Sequence, residues 1–184
     1  MLIILIFIFN LVYSIHQNYR YPYHTDEWHN LAYSVHIIEN KGITLKTPFF
    51  KEQPSQMDLE IGSHLFLAEF FIITGLDPVS FYRFMPAIFA CITAFILYVF
   101  VRESTGNFFA GIFSILFFAS LKSNISVLGN WFLVPVVMGF PLLYLVYYSL
   151  TIGLKRRKYS FFLSATIVLL ALTLIHPSLA SFVY

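Results

Sequence analysis

From Trp131 to Gly153 the chain runs without a charged side chain, and from Phe81 to Val101 it does so again with Arg83 as the single exception. A membrane-spanning helix needs about 20 mostly apolar residues, and both runs reach that length. Three shorter apolar runs accompany them: Leu2 to Ile15, Phe108 to Leu121 and Phe161 to Ile175. Composition points the same way. Hydrophobic residues make up 59% of the chain and charged residues 11%, against about 45–50% and 25% in soluble domains, and mean hydropathy is +0.77. Aromatics reach 20%, which suits helices that face acyl chains and end in rings at the headgroup level. The expected fold class is therefore all-α, a polytopic transmembrane helix bundle forming a single domain over residues 1–184. Its spans are expected at about 2–15, 81–101, 108–121, 131–153 and 161–175, joined by a long loop over 16–80.

Basic residues in short loops set the orientation. Lys155, Arg156, Arg157 and Lys158 form the dense basic cluster, and the positive-inside rule places it in the cytoplasm. Counting spans outward puts Arg102 to Gly106 on the cytoplasmic side and Lys122 to Asn130 and the 16–80 segment on the external or lumenal side. Every acidic residue except Glu103 falls in that one segment: Asp26, Glu27, Glu39, Glu52, Asp58, Glu60, Glu69 and Asp77. The first apolar run lacks the basic start and small-residue cleavage site of a signal peptide, so a retained anchor is expected. Cys91 stands alone inside an apolar run, which excludes an intrachain disulfide.

Within the long loop, Glu27 to Asn40 reads as a surface helix, with Trp28, Leu31, Ala32, Val35 and Ile38 recurring on one face. Thr25 is the expected N-cap and Gly42 the expected stop, with Lys41 in the last turn. After an irregular stretch over Lys46 to Met57, a second apolar helix is expected from Ile61 to Thr74, ending at Gly75. It is short for a span and carries His64 and Glu69, so it reads as re-entrant or interfacial. His176-Pro177 reads as a turn, and Ser178 to Tyr184 as the start of a further apolar helix cut short by the end of the chain.

The run Tyr23-His24-Thr25-Asp26-Glu27-Trp28-His29 carries the chemistry. Ionisable groups beside hydrocarbon are costly and usually have a task. Acids in the first turn of a helix also stabilise it through the macrodipole by about 0.3–1 kcal/mol, so the pair has an ordinary explanation as well. Metal ligation is a further alternative: His29 and His36 lie on one helical face, and Glu60 and His64 are one turn apart. With Asp26 and Glu27 such side chains suit Mg or Mn; lone histidines near aromatics read equally as interface residues. The Asn124-Ile125-Ser126 sequon lies too near the membrane to mark a glycan site.

The Asp26-Glu27-x-His29 pattern opening a surface helix after a first span resembles the protein O-mannosyltransferases and their relatives in the membrane-embedded C-type glycosyltransferase superfamily. Gly62 to Gly75, then Tyr82-Arg83-Phe84-Met85-Pro86-Ala87 entering a span, and the Arg102 to Gly106 turn resemble the stretch after the acidic loop in those proteins. The resemblance implies transfer of a sugar from a polyprenyl- or dolichyl-phosphate donor to a protein, lipid or glycan acceptor, with membrane lipid around it and no nucleic acid. It implies a catalytic role for the first acid, Asp26. Such a displacement needs one general base, for which Asp26 is placed. Glu27 is available to position Asp26 or bind a metal, His29 to hydrogen-bond the acceptor or phosphate, and Arg83 to receive the leaving phosphate, with Lys122 a lesser candidate. A different class also fits the composition: a non-enzymatic polytopic protein that binds or moves a lipid-linked or small solute. A transporter should carry its ionisable groups at mid-bilayer, whereas here they crowd a loop.

Overall fold

The computed structural model describes residues 1–43, 47–49, 59–121 and 130–183. The described residues form helices and connections, with no strand among them. In chain order the helices are α1 (Leu2–Tyr13), α2 (Thr25–Asn40), α3 (Ile61–Thr74), the short α4 (Pro78–Phe81), α5 (Met85–Thr105), α6 (Phe108–Ser120), α7 (Pro135–Arg156), α8 (Tyr159–Ile175) and the short α9 (Pro177–Ala180). A 3-10 turn, Tyr82–Phe84, joins α4 to α5, and another, Ser181–Val183, follows α9.

Among the described residues two segments are long and apolar enough to cross a membrane: the α4–α5 unit, Pro78–Thr105, and α7. The runs at 2–15, 108–121 and 161–175 yield helices of 12, 13 and 17 residues, below the roughly 20 residues of a full span. α7 starts four residues later than the apolar run. Val134 is its N-cap and Pro135 its first residue, where a missing N–H costs nothing.

α5 is the hub. Ala87, Ala90 and Ala94 present a small-residue face that admits Ile8 and Val12 of α1, and Ile115, Phe118 and Ala119 of α6 complete this part of the core. Small residues let helix backbones approach closely, which is how packing is gained where no water need be expelled. The other end of α5 contributes Met85 and Phe89 to a second cluster with Leu31 of α2, Leu67 and Phe71 of α3, and Leu133, Val137 and Met138 around the start of α7. α8 closes the bundle against α7.

Gly62 sets how near α3 comes to α8. A Cβ there would lie 2.5 Å from the Leu174 carbonyl oxygen and 2.6 Å from its carbon, both backbone atoms that cannot rotate aside. Gly62→Ala should therefore force the two helices apart and destabilise the protein by about 1–3 kcal/mol. Gly42, with open space around it, is the control. Equal thermal unfolding midpoints for Gly62→Ala and Gly42→Ala, measured in detergent, would remove this role.

Three local expectations are corrected. The N-cap of α2 is His24 rather than Thr25, because the His24 ring accepts from the backbone while Glu27 reaches back to the His24 N–H. The helix stops with Lys41, not Gly42, in the left-handed conformation (φ 54°), and Gly42 N donates to the Ile37 carbonyl. The buried face of α2 is also rotated. Glu27, Asn30, Leu31, Ser34 and Ile37 are buried, and Trp28 is exposed. Trp28, Ala32 and Val35 instead line an open groove with Pro48 and Val79.

Candidate active site

Asp26 is the second residue of α2. Its side chain keeps 53% of its exposure, and its Oδ2 lies 3.5 Å from His24 Nδ1. The same Nδ1 accepts a hydrogen bond from Asp26 N at 3.2 Å. One nitrogen cannot do both at once. With its lone pair on the backbone N–H, His24 caps the helix and leaves the Asp26 carboxylate free; a proton there would exchange the cap for an ion pair.

Glu27, next in the chain, is fully buried. Its Oε2 accepts from Tyr23 N (2.9 Å) and His24 N (3.1 Å), and its Oε1 accepts from Leu133 N (2.8 Å). A buried carboxylate is tolerable only when hydrogen-bonded in this way. Burial still pushes its pKa above the ordinary 4.5, against the lowering effect of those three N–H donors and of nearby His16. With both oxygens occupied by backbone donors, Glu27 ties the start of α2 to the segment before α7. Its partner segment is pinned from several sides. Tyr82 Oη donates to the Leu133 carbonyl at 2.8 Å, His16 Nε2 bonds the Trp131 carbonyl at 3.2 Å, and Asn130 Nδ2 donates to the Phe118 carbonyl at 2.7 Å. These contacts hold residues 130–134 in a turn that ends extended at Val134, which is why the apolar run becomes helical only at Pro135.

Asp26 opens onto a cavity of about 220 Å³ that it lines with His29, Asn30, Glu60, His176 and the apolar wall Val134 to Val136. The volume is below the roughly 300–1,000 Å³ usual for drug-sized ligands, so it suits one small moiety. Several of the lining residues stand where helices begin, with His29 and Asn30 a turn further into α2. Asp26 is in the first turn of α2, Glu60 is the N-cap of α3, Val134 and Pro135 open α7, and His176 caps α9. Helix amino termini carry partial positive charge and unpaired N–H groups, here set against the carboxylates of Asp26 and Glu60 and the carboxyl end of α8, which His176 also caps.

Glu60 and His176, from elements far apart in sequence, meet in this cavity with Oε1 and Nε2 3.2 Å apart. His176 Nδ1 accepts from Leu179 N at 3.0 Å. That leaves Nε2 to carry the proton of the neutral ring and donate it to Glu60. Burial lowers the His176 pKa below 6.5, which keeps the ring in this neutral form at pH 7.

His29 lines the cavity and stacks on Phe49 (5.5 Å between centroids) beside Tyr33 (4.8 Å). The paired spacings proposed for a metal are spent differently. His36 bonds Asn40, His64 lies buried against Tyr33, and Glu60 faces His176. Among the described residues no group of three or more His, Cys, Asp or Glu side chains could hold a metal ion. Arg83 is not brought to Asp26; it lines a separate groove with Arg20. Lys122 and the Asn124 sequon lie outside the described residues. Asn30, His176 and the Val134 to Val136 wall are lining residues that the sequence did not bring to the site, and Glu60 entered there only as a possible metal ligand. Only the helix-start positions of Glu60 and His176 could have hinted at them.

The chain matches no protein-family model, no curated protein and no solved structure.

Proposed function

We propose that the chain is a multi-pass membrane protein that transfers a sugar from a polyprenyl- or dolichyl-phosphate donor to an acceptor hydroxyl, with Asp26 as general base. One observation carries this reading: an accessible carboxylate beside a small cavity on which α2, α3 and α7 all begin. In the reaction the acceptor oxygen attacks the anomeric carbon while Asp26 takes the hydroxyl proton. The bond from that carbon to the phosphate oxygen breaks, its electron pair leaves with the phosphate, and the configuration inverts. A single carboxylate suffices, because phosphate is a good leaving group, in contrast to the paired carboxylates of glycoside hydrolysis. The helix amino termini supply the stabilisation of developing phosphate charge that sequence reasoning had assigned to Arg83. His29, Asn30 and the Glu60–His176 pair line the remaining wall and offer hydrogen bonds to sugar or acceptor hydroxyls.

Outward-facing side chains support the membrane part of the proposal. Ile3 and Phe7 of α1, Phe109 and Phe113 of α6, and Ile167 and Leu170 of α8 are all more than half exposed, a distribution that marks contact with lipid in a chain this apolar. Orientation is tested by labelling. In a Cys91→Ala background, a cysteine replacing exposed Asn18 should react with an impermeant reagent from outside intact cells, while one replacing Ser160, beside the basic cluster, should react only after permeabilisation. Equal labelling of both from one side would overturn the topology. The activity itself is tested by incubating membranes that contain the protein with a polyprenyl-phosphate-linked labelled sugar and counting label that leaves the lipid fraction. No transfer above membranes lacking the protein would reject the enzymatic reading.

A further inference from the structure

Away from Asp26, two guanidiniums share an open groove of about 530 Å³. Arg20 comes from the connection after α1 and Arg83 from the 3-10 turn that enters α5. Arg20 Nη2 donates to Ser80 Oγ at 2.9 Å, and Ser80 N donates to Asp77 Oδ2 at 2.7 Å. Asp77 is thereby engaged as the cap of α4, with its pKa held down by Ser80 first and Arg20 last. It reduces the positive charge of the groove without cancelling it.

Arg83 is the less satisfied of the two. Its Cζ lies 4.7 Å from the centroid of the Phe84 ring, and its Nε is buried without a hydrogen-bond partner. Among the described residues neither guanidinium forms an ion pair. A buried N–H left unpaired costs free energy, and a bound acceptor is one way to relieve it. Planar guanidiniums with several donors match the oxygens of a phosphate group, and the Ser80 hydroxyl lies between the two elements.

The rest of the groove is apolar. Leu76, Phe81 and Phe84 complete its lining, and Ile72 and Ile73, at the end of α3 just before Leu76, are 56% and 79% exposed. A free phosphate would use the cations and leave this rim in water. An amphiphile with a phosphate head uses both halves. The long apolar helix α5 begins two residues after Arg83, which sets the groove at headgroup level if α5 crosses the bilayer.

We propose that this groove binds an anionic phospholipid, with its headgroup phosphate on Arg20 and Arg83 and its first methylenes on Leu76, Phe81 and Phe84. The occupant is a lipid of the surrounding membrane, separate from any sugar donor at Asp26, since the two cavities share no lining residue. A zwitterionic choline lipid is disfavoured, because its cation would sit beside two guanidiniums. The proposal rests on the membrane reading above and is independent of sugar transfer.

The test uses the purified full chain in neutral detergent, with thermal midpoint and lipid retention by native mass spectrometry as readouts. Phosphatidylglycerol doped into the micelles should raise the midpoint and remain bound as a discrete adduct. Phosphatidylcholine and inorganic phosphate should do neither. The double variant Arg20→Gln/Arg83→Gln should bind phosphatidylglycerol about tenfold or more weakly, having lost two charge-assisted contacts. Arg20→Gln alone, at an exposed residue, should weaken it measurably, with the lipid-free thermal midpoint as the check on folding. Unchanged phosphatidylglycerol binding in Arg20→Gln or the double variant would overturn the assignment, and so would an equal stabilisation by inorganic phosphate. A failure of transfer at Asp26 has no bearing on either readout.

Discussion

Asp26→Asn is expected to leave a folded protein with near-normal donor affinity and a transfer rate about 10²–10⁴-fold lower. Asn keeps the size of the side chain and its hydrogen-bonding oxygen, so the first turn of α2 stays intact. It cannot accept the acceptor's proton at neutral pH. The loss should fall on turnover rather than on binding, which a comparison of kcat with KM separates. If Asp26 served only the helix macrodipole, the same change would cost about 0.3–1 kcal/mol of helix stability and leave the rate nearly unaltered. The two readings therefore differ by orders of magnitude in one assay. Near-normal turnover in a variant that elutes as a single species in detergent would sink the catalytic role of Asp26.

Glu27→Ala is expected to do the opposite damage, to the fold before the rate. Three backbone N–H groups, of Tyr23, His24 and Leu133, end on this carboxylate. Deleting it strands the buried Leu133 N–H at about 1–3 kcal/mol and leaves the part-buried Tyr23 and His24 N–H groups to water, so the total loss is roughly 2–4 kcal/mol. Glu27→Gln should lose less, since one amide oxygen can still serve two of the donors, and should retain partial activity. The carboxyl's raised pKa adds a pH signature. The folded chain holds this proton more tightly than the unfolded chain, so the group's stabilising contribution is complete below pH 4.5 and is lost as pH rises through the folded pKa. The stability of the parent relative to Glu27→Gln should therefore increase as the medium is acidified across that window. A Glu27→Ala protein as stable as its parent would show that the clasp contributes nothing.

The elements legible in advance were those with a local cause. α3 runs from Ile61 to Thr74 as its apolar pattern indicates, because Gly75 takes the left-handed conformation (φ 65°) that ends it. α6 begins at Phe108 because Asn107 accepts from the next two free N–H groups, of Phe109 and Ala110. The long apolar runs announce the helices of Met85–Thr105 and Pro135–Arg156 through composition alone. What sequence patterning missed depends on partners far along the chain. A periodicity count treats Glu27 as polar and therefore outward; its burial comes from the Leu133 N–H, which no local window contains. The delayed start of α7 has the same origin. Glu60 and His176 meet because Gly62 lets α3 approach Leu174, and spacing along either helix is silent about that. Arg83 looked suited to Asp26 because both stand at helix starts on one expected side of the membrane. In three dimensions the turn at Tyr82–Phe84 gives it to a different groove.

The Glu27–Leu133 bond joins residues separated by 106 positions, and that separation is also an interval of time. A ribosome adding about 5–20 residues per second makes Leu133 roughly 5–20 s after Glu27. Throughout that interval the acidic loop is present without the donor that locks it, and His176 arrives later still. Nascent chains halted before Leu133 should therefore leave the start of α2 more open to protease than chains extended beyond it. The site is assembled from its last-made parts backward, so a chain stalled before Leu133 lacks the bond that holds the start of α2 in place.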